Sequence, residues 1–153
     1  MKNTLFHWKN NDSEGYHSAI TKNVARIELF EQDTIIQSIK TYRPPKNLKR
    51  TDIQQFIKEL ASLVQAGITL LDALDMMQKT QTRRMHYLLH SIKENLQSGK
   101  SLSDALKNTG QFNELILFSI TAGEASGRLD TILQHIATHQ SNMQQLRSNI
   151  IKA

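Results

Sequence analysis

Cysteine is absent from this 153-residue chain, which excludes disulfide staples and thiolate metal sites and fits a reducing compartment. Proline occurs twice and glycine six times, too rarely for a fold of many tight turns and in keeping with helices. No run comes near the ~18 apolar residues of a membrane span. No apolar signal segment follows Met1, because the run from Phe6 soon reaches Lys9, Asn10, Asn11 and Asp12. The expectation is a soluble, cytosol-facing piece. Catalytic signatures are missing as well: no serine stands in GxSxG, and there is no Walker loop and no GxGxxG. No enzyme activity and no cofactor are therefore expected. Acids are outnumbered by bases, 14 against 19. The resulting basic surface suits an acidic partner, nucleic acid or an anionic membrane, or serves solubility alone.

What is present changes character along the chain. In residues 1–42, Leu5 to Trp8 and Tyr16 to Ile20 read as short strands separated by a polar turn from Asn10 to Gly15. Thr21 to Gln32 carries Val24, Ile27 and Leu29 at helical spacing, and Ile35, Ile36 and Ile39 predict a third strand. A small ββαβ-like α+β unit results. Residues 43–50 hold both prolines, Pro44 and Pro45, among Arg43, Lys46, Lys49 and Arg50. Two prolines side by side hold the backbone extended and cannot enter a helix interior, so a basic linker is expected here.

From residue 51 to 153 the periodicity is helical, and the prediction is a compact antiparallel six-helix bundle. Ile53, Phe56, Ile57, Leu60, Leu63 and Val64 share one face, and Gly67 stops that helix. Thr69 with Asp72, and Ser101 with Asp104, are capping-box variants opening later helices. Met85, Leu88, Leu89, Ile92 and Leu96 form another stripe, ended by Gly99. Asn113 caps a helix through Leu115, Ile116, Phe118 and Ile120, and Met76, Met77 and Met143 read as core filler. After Gly127, the residues Leu129, Ile132, Ile136, His139, Met143, Leu146 and Ile150 alternate steps of three and four, a heptad seam.

Candidate sites are few. His86 with His90, and His135 with His139, stand at i, i+4, which puts two imidazoles on one helix face as a bidentate metal site requires. Neither pair lies in HExxH, and a third ligand would come from Glu124 or Asp130, so ordinary surface or interhelical histidines are the competing account. Leu60 to Ile68 followed by a capped helix mimics helix-turn-helix. The would-be recognition helix, however, carries Leu70, Leu71, Asp72 and Asp75 rather than base-reading groups. Nucleic acid is therefore an unfavoured partner. Gly123 and Gly127 form a GxxxG around Glu124, which allows close helix approach at Gly123 and a chain turn at Gly127. Glu124 has no structural excuse in the sequence, and needs a cation, an arginine or helix N-terminal amides to satisfy it.

Three blocks carry a family resemblance. Phe56 to Leu70 is similar to FxxQLAxLLxAGIPL, Gly99 to Leu106 to GxSLSxAL, and Gly123 to Asp130 to GExSGxLD. In this order and spacing they resemble the type II secretion F / type IV pilus PilC family of inner-membrane platform proteins. Two departures stand out: Thr69 replaces a proline, and Thr109 to Leu115 replaces HPxxFPxL. The resemblance implies a cytoplasmic helical domain over 51–153, ending just before a first transmembrane helix, on the cytoplasmic face of the bacterial inner membrane. It implies a non-enzymatic scaffold coupling an assembly ATPase to pilin or pseudopilin assembly. Further implied partners are other inner-membrane platform proteins and a second copy in a homodimer. Gly67, Gly99, Gly123, Glu124, Gly127, Leu129 and Asp130 are the structural or partner-facing positions it marks. The alternative is a helical nucleic-acid-binding or regulatory adaptor module.

Overall fold

The computed structural model describes residues 4–42, 47–80 and 83–152, without the side chain of Arg83. The chain divides into two compact units, Met1–Pro45 and Lys46–Ala153. Pro44, Pro45 and their basic neighbours Arg43 and Lys46 lie outside the described residues.

In the first unit, strands β1 (Thr4–Lys9) and β2 (Glu14–Ala19) pair antiparallel, with Phe6 opposite His17 and Trp8 opposite Gly15. Their turn is held by the Asn10 side chain, whose Oδ1 accepts from the backbone N–H of Asp12 at 3.0 Å and of Ser13 at 2.6 Å. Helix α1 (Lys22–Glu31) starts at Thr21, whose hydroxyl oxygen accepts from the Val24 N–H. Strand β3 (Ser38–Thr41) returns along the free side of β1, giving the order β2-β1-β3. Phe6, Ala19, Ala25, Leu29 and Ile39 bury together as a small core. Two expectations are corrected. Gly15 belongs to β2 and not to the turn, because the Trp8 indole lies across it and an added Cβ would stand 2.8 Å from Trp8 Cζ2. Of the three isoleucines expected in β3, only Ile39 is in the strand, while Ile35 is exposed.

The second unit contains α2 (Arg50–Gln65), α3 (Leu70–Thr80), α4 (Arg83–Gln97), α5 (Leu102–Thr109), α6 (Glu114–Ser126) and α7 (Leu129–Lys152). The described residues hold seven helices, α1 in the first unit and six in the second, and the chain is mainly helical with one small antiparallel sheet. Each helix from α2 to α6 packs on its successor, and α7 closes the circuit against α2. The core is the union of the predicted stripes: Phe56, Ile57 and Leu60 of α2, Leu74 and Met77 of α3, Leu88, Leu89 and Ile92 of α4, all fully buried or nearly so. Lys49 and Arg50 belong to the start of α2, where the Asp52 carboxylate accepts from the Lys49 N–H at 3.2 Å. Among the described residues no helix is long and apolar enough to cross a membrane.

Two side-chain expectations change here. Met77 is core, but Met76 is half exposed. On α7 the buried residues are Leu133 and Ala137, while His139, Leu146 and Ile150 of the expected seam are exposed. A straight helix repeats every 3.6 residues, so a strict 3.5 spacing drifts around its surface. The face of α7 that meets α2 and α6 accordingly centres on Leu133 and Ala137.

Candidate functional site

A buried polar joint of the second unit lies where α5 meets α6. Ser101 is the N-cap of α5 and its Oγ accepts from the Asp104 N–H at 3.1 Å. That leaves the N–H groups of Leu102 and Ser103, which point out of the first turn with no intrahelical partner. Both are taken by one side chain from the next helix. Glu124 Oε1 accepts from the Leu102 N–H at 2.6 Å, and Oε2 accepts from the Ser103 N–H at 3.2 Å and the Ser103 hydroxyl at 2.6 Å. Ser103 is itself buried, at 8% exposure, and Glu124 is half-buried. A carboxylate at a helix N-terminus faces the positive end of the dipole, and its hydrogen bonds are charge-assisted. Of the partners that could satisfy Glu124, the structure supplies helix N-terminal amides.

The residues flanking Glu124 hold it in place. A Cβ added to Gly123 would stand 3.0 Å from Ile132 Cγ1 and 3.3 Å from the Leu129 Cα, so any side chain here would press Ile132 and the start of α7 outward. Gly127 ends α6 in the left-handed region at φ 67°, and the Arg128 N–H reaches back to the Gly123 carbonyl at 2.9 Å. That is the Schellman pattern, in which glycine avoids a steric cost of about 1–2 kcal/mol. Leu129 packs partly buried against the core, and Asp130 lies in the first turn of α7, where an acid complements the dipole. Gly99 and Gly67, both at positive φ, follow α4 and α2. Thr69 performs the capping duty expected of it: its Oγ accepts from the Asp72 N–H at 3.2 Å and donates to the Asp72 carboxylate at 2.7 Å. Asn113 Oδ1 caps α6 through the Ile116 N–H at 2.9 Å.

The histidine pairs are placed elsewhere. His86 and His90 lie on α4, with His90 Nε2 3.7 Å from the Glu94 carboxylate. His135 and His139 line a groove of about 680 Å³ with Ile53, Phe112, Ile136 and Met143, a groove that neither Glu124 nor Asp130 lines. Among the described residues no three His, Asp or Glu side chains gather in a way that holds a metal ion. What the sequence concealed was the acceptor's destination. Leu102 and Ser103 are the far half of the joint, and the signal for them was the spare first-turn amides of a short capped helix. The uncovered side of α6 was also missed: Leu115 and Phe118, expected among its apolar residues, are 70% and 75% exposed. A helix apolar on every side signals such a surface.

The sequence pattern of the family described as Type II secretion system (T2SS), protein F matches residues 56–153, which contain the whole joint. The chain belongs to this protein F family. It is 34% identical over 110 residues to a type IV pilus assembly protein PilC of Pseudomonas aeruginosa, covering 71% of this chain and 29% of that protein. A PilC of Thermus thermophilus is 33% identical over 103 residues, covering 67% of this chain and 25% of the relative. The type II secretion system protein F of Vibrio cholerae is 30% identical over 110 residues, 71% of this chain and 27% of the relative. The match thus spans less than a third of these protein F relatives. Within the family's blocks, GExSGxLD and GxSLSxAL are the two halves of one contact, Glu124 on the α5 N-terminus.

Proposed function

We propose that this chain is the N-terminal cytoplasmic part of a non-enzymatic platform subunit in a type IV pilus or type II secretion assembly machine. It sits at the cytoplasmic face of the inner membrane and passes force from a hexameric assembly ATPase to pilin or pseudopilin subunits, beside other platform proteins and in a homodimer. Residues 1–42 form a small unit, a basic linker that ends before Arg50 follows, and α2 to α7 form an antiparallel six-helix bundle. The closed circuit of helix pairings from α2 to α7 supports the bundle.

The observation that carries the proposal is that Glu124, the acid of the Gly123–Asp130 block, is spent inside the domain. Glu124 holds α5 to α6 with three donors, so its carboxylate serves the shape of the domain. A rigid domain of this kind works by complementarity with partners. Two arms of one experiment test it. Deleting the gene abolishes surface pili or secretion and the intact gene restores them, and the purified chain retains the assembly ATPase of the same organism. Unchanged pili and secretion in the deletion strain, together with no ATPase retention, would refute the platform role.

A further inference from the structure

Helix α1 of the first unit buries one side and leaves apolar side chains on the other. Ala25 and Leu29 enter the small core with Phe6 and Ile39. On the opposite side, three residues apart, Ile27 and Phe30 are 59% and 74% exposed. Ile20, just before the helix, and Ile35, just after it, are exposed as well. Large apolar side chains that add nothing to the core of so small a unit mark an interaction site. Lys22 and Arg26, one turn apart, edge the Ile27–Phe30 face on one side. Among the described residues neither makes an ion pair. Glu28 and Glu31 edge it on the other, and the Glu28 carboxylate is engaged by His17 Nε2 at 2.7 Å.

The charge of the chain is gathered at the same end. Before Thr51 there are nine bases and five acids, and from Thr51 onward ten and nine, so most of the net +5 belongs to the first unit and the basic stretch after it. We propose that the first unit lies on an anionic lipid surface through α1. Ile27 and Phe30 enter the boundary between headgroups and acyl chains, while Lys22 and Arg26 meet the lipid phosphates. A surface helix reaches such a boundary with its apolar face, and each base near the membrane adds attraction to anionic headgroups. Tilting toward the Lys22–Arg26 edge keeps Glu31 and Asp33 in water. The membrane location in the platform proposal supplies the surface, and the inference rests on it to that extent. Single-stranded nucleic acid fits these bases less well, because it needs successive open rings to stack on. Here α1 exposes one ring, and Tyr16 and Tyr42 pack edge to face on each other, with ring centroids 5.0 Å apart.

Co-sedimentation of the 153-residue chain with vesicles of phosphatidylcholine and phosphatidylglycerol, and of phosphatidylcholine alone, tests the contact. The wild-type chain binds the anionic vesicles, binds the neutral ones far less, and loses affinity as salt is raised. Phe30→Ser lowers the partition coefficient by roughly tenfold, the scale for withdrawing an aromatic side chain from an apolar site. Lys22→Glu with Arg26→Glu lowers it by roughly tenfold or more. Both variants unfold at the wild-type temperature, since these side chains are exposed. Met76→Ser, on the exposed side of α3, leaves binding unchanged. A chain that ignores anionic vesicles overturns the proposal, as does binding that survives both Phe30→Ser and the double charge reversal, or equal binding to neutral vesicles. Retention of a single-stranded oligonucleotide without any vesicle binding overturns it too, and gives the bases to nucleic acid. None of these outcomes touches the platform role, which ATPase retention and the deletion strain decide separately.

Discussion

At its C-terminal end α6 is tied into the domain: Gly123 admits Ile132, Glu124 binds two amides and a hydroxyl, and Gly127 turns the backbone into α7. Toward its N-terminal end and outer side, Leu115 and Phe118 stand in solvent beside a groove. The same thirteen-residue helix is thus an internal joint at one end and an uncovered surface at the other. The difference teaches where to look for function in a scaffold. The motif-dense end sets the angle between helices, and the apolar side without polar motifs is what another molecule can meet. Substitutions at the joint should therefore cost stability, whereas those at Leu115 and Phe118 should spare it.

The largest effect is expected at Glu124. Glu124→Ala strands two first-turn amides and leaves the buried Ser103 hydroxyl only Ser101 Oγ at 3.0 Å, and should lower the unfolding free energy by about 3 kcal/mol, read by urea denaturation. Gly123→Val pushes a branched side chain against Ile132 and should cost about 2 kcal/mol, the usual scale for overpacking, visible as a lower urea midpoint. Gly127→Ala keeps the turn but forces a side chain into left-handed backbone, for about 1 kcal/mol in the same assay. Phe118→Ser should change stability by less than about 0.5 kcal/mol, because the ring is already in water. If Phe118→Ser instead destabilises as much as Gly123→Val, the two ends of α6 are not different in kind, and the comparison fails.

Much of this fold is legible in the sequence, and the parts that are not share a cause. Helix starts could be read because capping is local: Thr69, Ser101 and Asn113 each cap within three residues of themselves. The stops at Gly67, Gly99 and Gly127 are local in the same way. The need for a partner at Glu124 was also legible, since a carboxylate between two glycines at a helix junction must be satisfied. Its destination was not, because Leu102 lies 22 residues away and packing alone brings it there. The α7 seam was misplaced by one residue for a related reason: heptad and 3.6-residue periods nearly coincide over short windows, and only contact with α2 distinguishes Leu133 from Ile132. Likewise, periodicity could count the apolar residues of α6 but not say that Leu115 and Phe118 would find no cover. In the first unit, alternation located β1 and β2, while the placement of β3 depended on pairing with β1.

The central claim is that Glu124 caps α5 from across the domain, and hydrogen exchange tests it most directly. The first amides of a helix ordinarily exchange fast, having no intrahelical acceptor. Measured residue by residue under native conditions, the Leu102 and Ser103 amides should be protected in the wild-type chain. In Glu124→Ala they should lose that protection, while amides in the middle of α2 keep theirs. Fast exchange at Leu102 and Ser103 in the wild type, or protection that survives the loss of the carboxylate, would contradict the claim.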